Sequence, residues 1–392
     1  MSASSTRRPA AHKLNDRPAE GLFQTWSRFW FTPTAPTSLH VIRVLAGILF
    51  IAWLLPFAGH IDSLFSLEGW FDQLAYTQGL EKPRLSPEQE ALIPPEERVG
   101  PLEPVIGWSL LFVKAVGGNP AVLTAVYWSA LAVFALFALG VATRLTAVLT
   151  WVAVVSFTAN PAILYDGDSY LLVLAFYLMV GYVLLGQRTP GLSWVGRLVG
   201  TGDTLPFLRR GEGVRPSLAA NLALRLLQVH LAIIMVTSGL HKLQFGDWWG
   251  GLALWYPLYP AGQATLDQAR EYAGQSTSYL FFLSIGAYAV LFWQIGFPLF
   301  AWRPAWRPVL LLGALIGWLA DSFLFRLPLM GPALFILSLS FVTAEEWQRL
   351  FARLARLPGL RRLAPPAEEP EEITPAGVRD AEPSTFVTVG HR

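Results

Sequence analysis

Apolar residues in this chain gather in long runs separated by short polar segments. Eight runs have about the 17–25 residues that a helix needs to cross roughly 30 Å of hydrocarbon. They cover 39–57, 121–142, 145–162, 169–186, 218–240, 278–301, 308–325 and 327–344. Only Arg326 and its neighbours separate the last two, which predicts either a tight hairpin or a partly re-entrant pair. Ahead of the first run, Phe23, Trp26, Phe29 and Trp30 recur at spacings of three and four, with Arg17 and Arg28 nearby. That spacing predicts a short amphipathic helix lying on the inner membrane face. The predicted fold is an all-α, polytopic membrane helix bundle of about eight transmembrane helices.

Composition sharpens this picture. Hydrophobic residues make up 53% and charged residues 14%, against roughly 25% charged in a soluble domain. The distribution of Lys and Arg predicts orientation. With the N-terminus inside, the segments expected in the cytoplasm hold twenty of the 29 basic residues and the outer segments seven, while Arg43 and Arg225 fall within spans. Both termini are therefore expected in the cytoplasm of a multi-pass protein of the cell (inner) membrane. The first run is too long for a signal-peptide core and reads as a retained anchor. Residues 1–20 read as a flexible tail, 21–345 as the transmembrane domain and 346–392 as a second tail, largely disordered after 364 where Pro and Glu dominate. The outer loops are 58–120 and 241–277. A net charge of +2 argues against nucleic acid as a partner, and the lipid bilayer is the expected one. With no cysteine, disulfides and thiolate chemistry are excluded.

Three polar clusters interrupt the apolar pattern, and the predicted topology puts all three at the outer face. The first is His60, Asp62, Glu68 and Asp72. The second is the link Asn160-Pro161 to Tyr165-Asp166-Gly167-Asp168-Ser169-Tyr170. The third is Ser238-Gly239-Leu240-His241-Lys242-Leu243, followed by Asp247-Trp248-Trp249-Gly250-Gly251. Ionisable residues gathered at one membrane depth are costly and mark a site by default.

Lys242 is the sharpest of these residues. A lysine partly withdrawn from water can act as a general base, whereas a lysine at a helix end also commonly snorkels to the headgroups. His241 is either a proton shuttle or an interfacial histidine, and His230, in mid-span, suits a hydrogen bond within the bundle. Asp166 and Asp168 could orient a base or carry protons, or they serve the turn, with Asp168 capping the fourth span. The Trp and Phe stripes are most simply lipid-facing or packing surface. Arg43 and Arg225 should face the bundle and pair, with Asp321 or with helix carbonyls, and Gln294 and Asp321 need partners for the same reason. No phosphate-binding loop, dinucleotide fingerprint, zinc-protease motif or nucleophile elbow occurs.

At these clusters the sequence resembles the HTTM domain, the membrane domain shared by vitamin K-dependent gamma-carboxylase and bacterial homologues. The likeness runs from about Phe23 to Phe341. It rests on Trp26 to Phe31 with Pro36 and Arg43-Val44-Leu45-Ala46-Gly47, on Asn160-Pro161 with Asp166-Gly167-Asp168, and on Ser238 to Leu243 with Asp247-Trp248 and Gly251. The resemblance implies that Lys242 is the base acting on reduced vitamin K or menaquinone. It further implies O2 and CO2 as co-substrates, an exported peptide or protein as acceptor, and Trp248, Trp249 and Trp255, with Tyr165, as walls for a lipid-soluble cofactor. The carboxylase has His-Ser-Tyr-Leu where this chain has Asp168-Ser169-Tyr170-Leu171. Where bacterial relatives carry an acid and a histidine, this chain has Gln294 and Trp318 or Asp321. The competing expectation is a non-catalytic protein that binds a lipid or a partner.

Overall fold

A computed structural model describes residues 21–70, 109–160, 163, 165, 167–185, 216–258, 265–275 and 277–354. Every regular element among them is helical. The principal helices are α1 (Leu22–Phe31), α2 (Thr37–Leu54), α3 (Pro120–Leu139), α4 (Thr143–Thr158), α5 (Asp168–Leu184) and α6 (Leu218–Lys242). They continue with α7 (Thr277–Phe300), α8 (Arg307–Leu319), α9 (Met330–Ser338) and α10 (Ala344–Leu354). Four segments are long and apolar enough to cross a membrane: Thr37–Gly59, Pro120–Leu139, Leu218–Lys242 and Ser278–Phe300. Three shorter apolar helices accompany them, Thr143–Thr158, Asp168–Leu184 and Met330–Phe341.

Local chemistry sets the boundaries. Asn119 caps α3 by accepting from the Ala121 and Val122 N–H groups, and Pro120 occupies the first turn, where no N–H is needed. α3 ends at Gly140, whose φ of 82° is left-handed, with Val141 N–H bonding Leu136 O and Gly140 N–H bonding Phe137 O. These paired bonds form a Schellman stop, and the chain turns directly into α4.

The last two apolar runs differ from expectation. α8 passes into a π turn over Ala320–Leu324, and Arg326 takes a left-handed φ of 58°. Instead of filling 327–344, α9 and its 3-10 extension cover nine and three residues, 330–341. That is about 20 Å of rise, short of the roughly 30 Å of hydrocarbon. The cause lies downstream: Thr343 N–H donates to Glu346 Oε2 and Glu346 N–H to Thr343 Oγ1. This capping box starts α10 and ends the apolar segment early.

The core lies between α2, α3, α5, α6 and α9, with Phe50, Phe134, Phe137, Tyr127 and Tyr182 fully buried. Close crossings use small residues: Gly47 lies against Ala138, and Gly181 against Ala223. α7 packs on α6 at the rim, with Phe282 and Phe292 about 70% exposed, the surface expected toward lipid.

The bundle has two chemically distinct ends. At the near end α1 docks on α6, where Asn221 Nδ2 donates to the Phe29 and Trp30 carbonyls. The chain before α2 pairs with that before α6 through Thr34 and Ser217. At the far end meet the close of α2, the α4–α5 link, the close of α6 and the π turn.

Candidate functional site

Contacts draw the three polar clusters to the far end. Asn160, 4% exposed, donates from Nδ2 to the Leu64 carbonyl and so ties the second cluster to the first. Tyr165 lies 6.2 Å from Phe57, ring to ring. Gly167 packs on Leu329 and Met330, where a Cβ would come within 2.5 Å of the Leu329 Cβ. This joins the α4–α5 link to the start of α9. Within the first cluster His60, Asp62 and Glu68 are exposed, as solvated loop residues are.

Asp168 is the first residue of α5, with Gly167 in the cap position. It therefore does not cap its helix by side chain. Its Oδ2 instead accepts the Tyr165 N–H at 3.0 Å, while its own N–H donates to Tyr165 O. The carboxylate is 8% exposed, and its charge in the first turn opposes the helix dipole favourably. Asp166 lies outside the described residues.

Lys242 closes α6, and one turn earlier Gly239 lets α7 approach, its Cα facing Ile295 and Gln294. The Lys242 Nζ donates to Ser238 Oγ at 2.7 Å and stands 5.3 Å from the centre of the Trp248 ring. That ring face attracts a cation. Asp321 in the π turn makes no ion pair with Lys242 within 4.0 Å, but its charge acts on the lysine from farther off. Asp321 was expected to serve Arg43 or Arg225; the charge that acts on it is that of Lys242. Arg225 does take a helix carbonyl, Phe29 O at 3.2 Å, and Arg43 is fully buried with its guanidinium 5.3 Å from the Tyr182 ring centre. π turns recur at functional sites because they re-aim a side chain.

Beside this group four polar atoms are buried with no hydrogen-bond partner among the described residues: Gln294 Oε1, Ser322 Oγ, Trp318 Nε1 and Trp293 Nε1. Ser322 and Trp318 both face Gly331 of α9, and Trp293 faces Gly313 of α8. Each such atom loses about 1–3 kcal/mol of solvation unless something pairs with it. Two of them, Trp318 and Ser322, lie within one turn of Asp321 along the chain, and the other two are on α7.

A cavity of about 430 Å³ opens between α5 and α6. α5 supplies Ser169, Tyr170 and Val173; α6 supplies His230, Ile234, Thr237, Ser238 and His241. The Nδ1 of His230 meets Tyr177 Oη at 2.9 Å, the bundle hydrogen bond that its mid-span position suggested. His241 is exposed, its ring edge-on to Phe245. Ser238 belongs to both sites, since it lines the cavity and accepts from Lys242.

The tryptophans separate. Trp248 covers Lys242. Trp249 is 60% exposed, donates to Leu243 O and lies on a loop held to α7 by the Tyr288 hydroxyl. In that loop Gly251 has a φ of 73° and no room for a Cβ beside Ser284. Trp255 is 1% exposed in a second small core with Ala269 and Leu283. Neither Trp255 nor Tyr165 lines the cavity. Sequence reading missed Ser238 as the link and Asp321 as the partner. A serine one turn before the lysine was the available signal for the first. No family model, curated protein or solved structure matches the chain.

Proposed function

We propose that this is a multispan protein of the cell (inner) membrane, crossing about eight times with both ends in the cytoplasm and the far-end site facing out. The Lys and Arg excess in the segments that join at the near end supports this orientation. We read the site as that of a quinol-dependent modifying enzyme like the membrane domain of vitamin K-dependent gamma-carboxylase, with Lys242 as its base. One observation carries the reading. Lys242 Nζ is held by Ser238, faced by Trp248 and opposed by Asp321, one hydroxyl away from a cavity of small-molecule size.

The cavity lining suits a reduced vitamin K or menaquinone head: aliphatic walls from Val173 and Ile234, and hydroxyl or imidazole groups from Ser169, Tyr170, Ser238 and His241. A hydroquinone that becomes the quinone epoxide would supply two phenolic protons and the four electrons that take O2 to the epoxide oxygen and one water. The protein's own part is proton handling. A neutral Nζ accepts a proton through Ser238, the only side chain that both lines the cavity and bonds Lys242 among the described residues. Asp321 stabilises the resulting ammonium, and Trp248 adds its ring face. CO2 and an exported peptide or protein would enter from the outer side. Asp168, bonded to the Tyr165 N–H, holds the entrance turn in place.

A second reading is a non-catalytic protein that binds a lipid or a partner. It is favoured by the cavity lining itself, which does not include Lys242. The deciding experiment supplies purified protein in lipid with reduced vitamin K or menaquinone and O2. Mass spectrometry then looks for the quinone epoxide, with Lys242→Ala as control. Epoxide that disappears in the variant establishes the quinol reaction. No epoxide, with or without bicarbonate and a glutamyl peptide, moves the assignment to the binding protein.

A further inference from the structure

The near end carries arginines that the fold neutralises only in part. Arg225 reaches beneath α1, where Nε donates to Phe29 O at 3.2 Å and one terminal nitrogen to Gln228 Oε1 at 2.8 Å. Its guanidinium stacks 4.3 Å from the Phe29 ring centre. All these acceptors are neutral. The charge that acts on Arg225 is a like one, that of Arg307. Arg307 has a carboxylate, Glu346 at 3.2 Å, but that carboxylate also closes the α10 capping box. Arg303 follows on the α7–α8 turn, exposed beside Phe300. The turn is fixed to the same place, since Trp302 Nε1 reaches the Gln228 oxygen that Arg225 uses.

Aromatic rings surround these cations. Phe29 packs against Trp26, Trp30 and Trp302, and Trp306 packs on Phe300. On the outer side of α1, Leu22, Phe23 and Trp26 are between 61% and 92% exposed. Guanidiniums that bind phosphate through a fork of N–H groups, an interfacial aromatic belt and an adjoining apolar surface are three parts of one kind of site.

We propose that the near end binds one anionic phospholipid. Its phosphate lies among Arg225, Arg303 and Arg307, and its acyl chains run along the exposed face of α1. Clustered arginines beside a membrane helix attract such headgroups. The acidic segment Glu368-Glu369-Pro370-Glu371-Glu372 of this chain offers charge but nothing apolar to cover Leu22, Phe23 and Trp26. Bound lipid would fasten α1 to α6 and to the α7–α8 turn. The assignment does not depend on the chemistry at the far end.

The test places the full chain in nanodiscs of phosphatidylcholine with a minor share of phosphatidylglycerol. Lipid retained on transfer to detergent is then counted by native mass spectrometry. The wild type should retain phosphatidylglycerol in preference. Arg303→Gln, which removes an exposed charge and no structural hydrogen bond among the described residues, should weaken retention about tenfold, or about 1.4 kcal/mol. Arg225→Lys should weaken it less than Arg225→Gln, and Arg144→Gln, in the first turn of α4 at the same end, should leave it unchanged. Equal retention of the two lipids by the wild type would overturn the proposal. So would an Arg303→Gln protein that retains phosphatidylglycerol undiminished. Displacement of the lipid by millimolar inorganic phosphate would also overturn it, because the site would then be one for a bare anion.

Discussion

The opposition of Lys242 and Asp321 can be measured without knowing any substrate. Lys242 and Asp321 make no ion pair within 4.0 Å, so their attraction lies below the about 4 kcal/mol that two unit charges at that distance would have at an effective dielectric near 20. Both side chains here are only partly buried, so solvent screening lowers the coupling to about 1–2 kcal/mol. Lys242→Met keeps the aliphatic stem but leaves the Asp321 charge without its cation, and Ser238 without its donor. It should cost about 1–3 kcal/mol. Asp321→Asn should cost a similar amount, by leaving the ammonium with only Ser238 and Trp248. The double variant removes both charges, so its cost should be close to that of one single change and not the sum. Reversible unfolding of purified protein in detergent, read for the four members of the cycle, gives the coupling directly. If the single effects add to within about 0.5 kcal/mol, the charges do not act on one another and the site reading loses its centre.

Other regions respond to sharper perturbations. A Cβ on Gly47 would sit 2.7 Å from the Ala138 Cβ and 3.2 Å from Phe134 O, so Gly47→Ala should destabilise the protein by about 1–3 kcal/mol. Ala138→Gly should recover part of that loss in the same unfolding assay, and the absence of recovery would place the strain elsewhere. Asn160→Leu removes the bond to the buried Leu64 carbonyl and should cost about 1–3 kcal/mol; a neutral result would mean that the first two polar clusters are not tied together. At α10, the Thr343 hydroxyl and the backbone N–H hold the Glu345 carboxyl below its ordinary 4.5. Its contribution is therefore complete above about pH 4.5 and lost as pH falls through the lower, folded value. Hydrogen exchange across 344–354 should stay constant from about pH 7 to 5, after correction for intrinsic rates, and quicken below. Thr343→Ala should shrink that step, since the Thr343 hydroxyl is the largest of the influences that hold the carboxyl down.

Much of the architecture is legible in the apolar pattern because each long run must be helical in lipid. The run 121–142 becomes a helix over Pro120–Leu139, shortened at its end by Gly140, whose left-handed backbone stops the helix inside the apolar stretch. The run 327–344 becomes 330–341 because Thr343 and Glu346 begin a new helix there, a local hydrogen-bonding signal that hydropathy does not register. Placement of Lys242 at the end of its helix is readable in the same way. Its partner is not, since Asp321 is 79 positions along the chain by numbering, and only the packing of α8 on α9 and its π turn brings it near. Trp255, expected to wall a lipid-soluble cofactor, packs in a small core with Leu283 and with Ala269 of the helix Leu266–Gln275, an arrangement that its place in the sequence does not register.

What separates a site from a scaffold in this bundle is how far each buried polar group is satisfied by the fold. Asn221 and Gln228 each find backbone carbonyls, and His40 finds Tyr182 at 2.7 Å. Those partners come from other helices, so each bond locks two elements together, and such groups are explained by packing alone. Among the described residues, unpartnered buried polar atoms also occur at the near end, at Trp30, Thr34, Ser340 and Trp347, so the far end is set apart by the charged residues beside them. Lys242 has a serine, a ring face and a charge in the π turn, while Gln294 Oε1, Ser322 Oγ and Trp318 Nε1 are buried with no partner among the described residues. Each such atom costs about 1–3 kcal/mol that an apolar side chain would not, and at the far end three of them accompany a lysine and an aspartate. Replacing Gln294 by Leu and Ser322 by Ala should therefore raise stability, or leave it unchanged, while impairing whatever the far end does. Loss of stability in both would show that these atoms are bonded within the fold and would return the far end to scaffold.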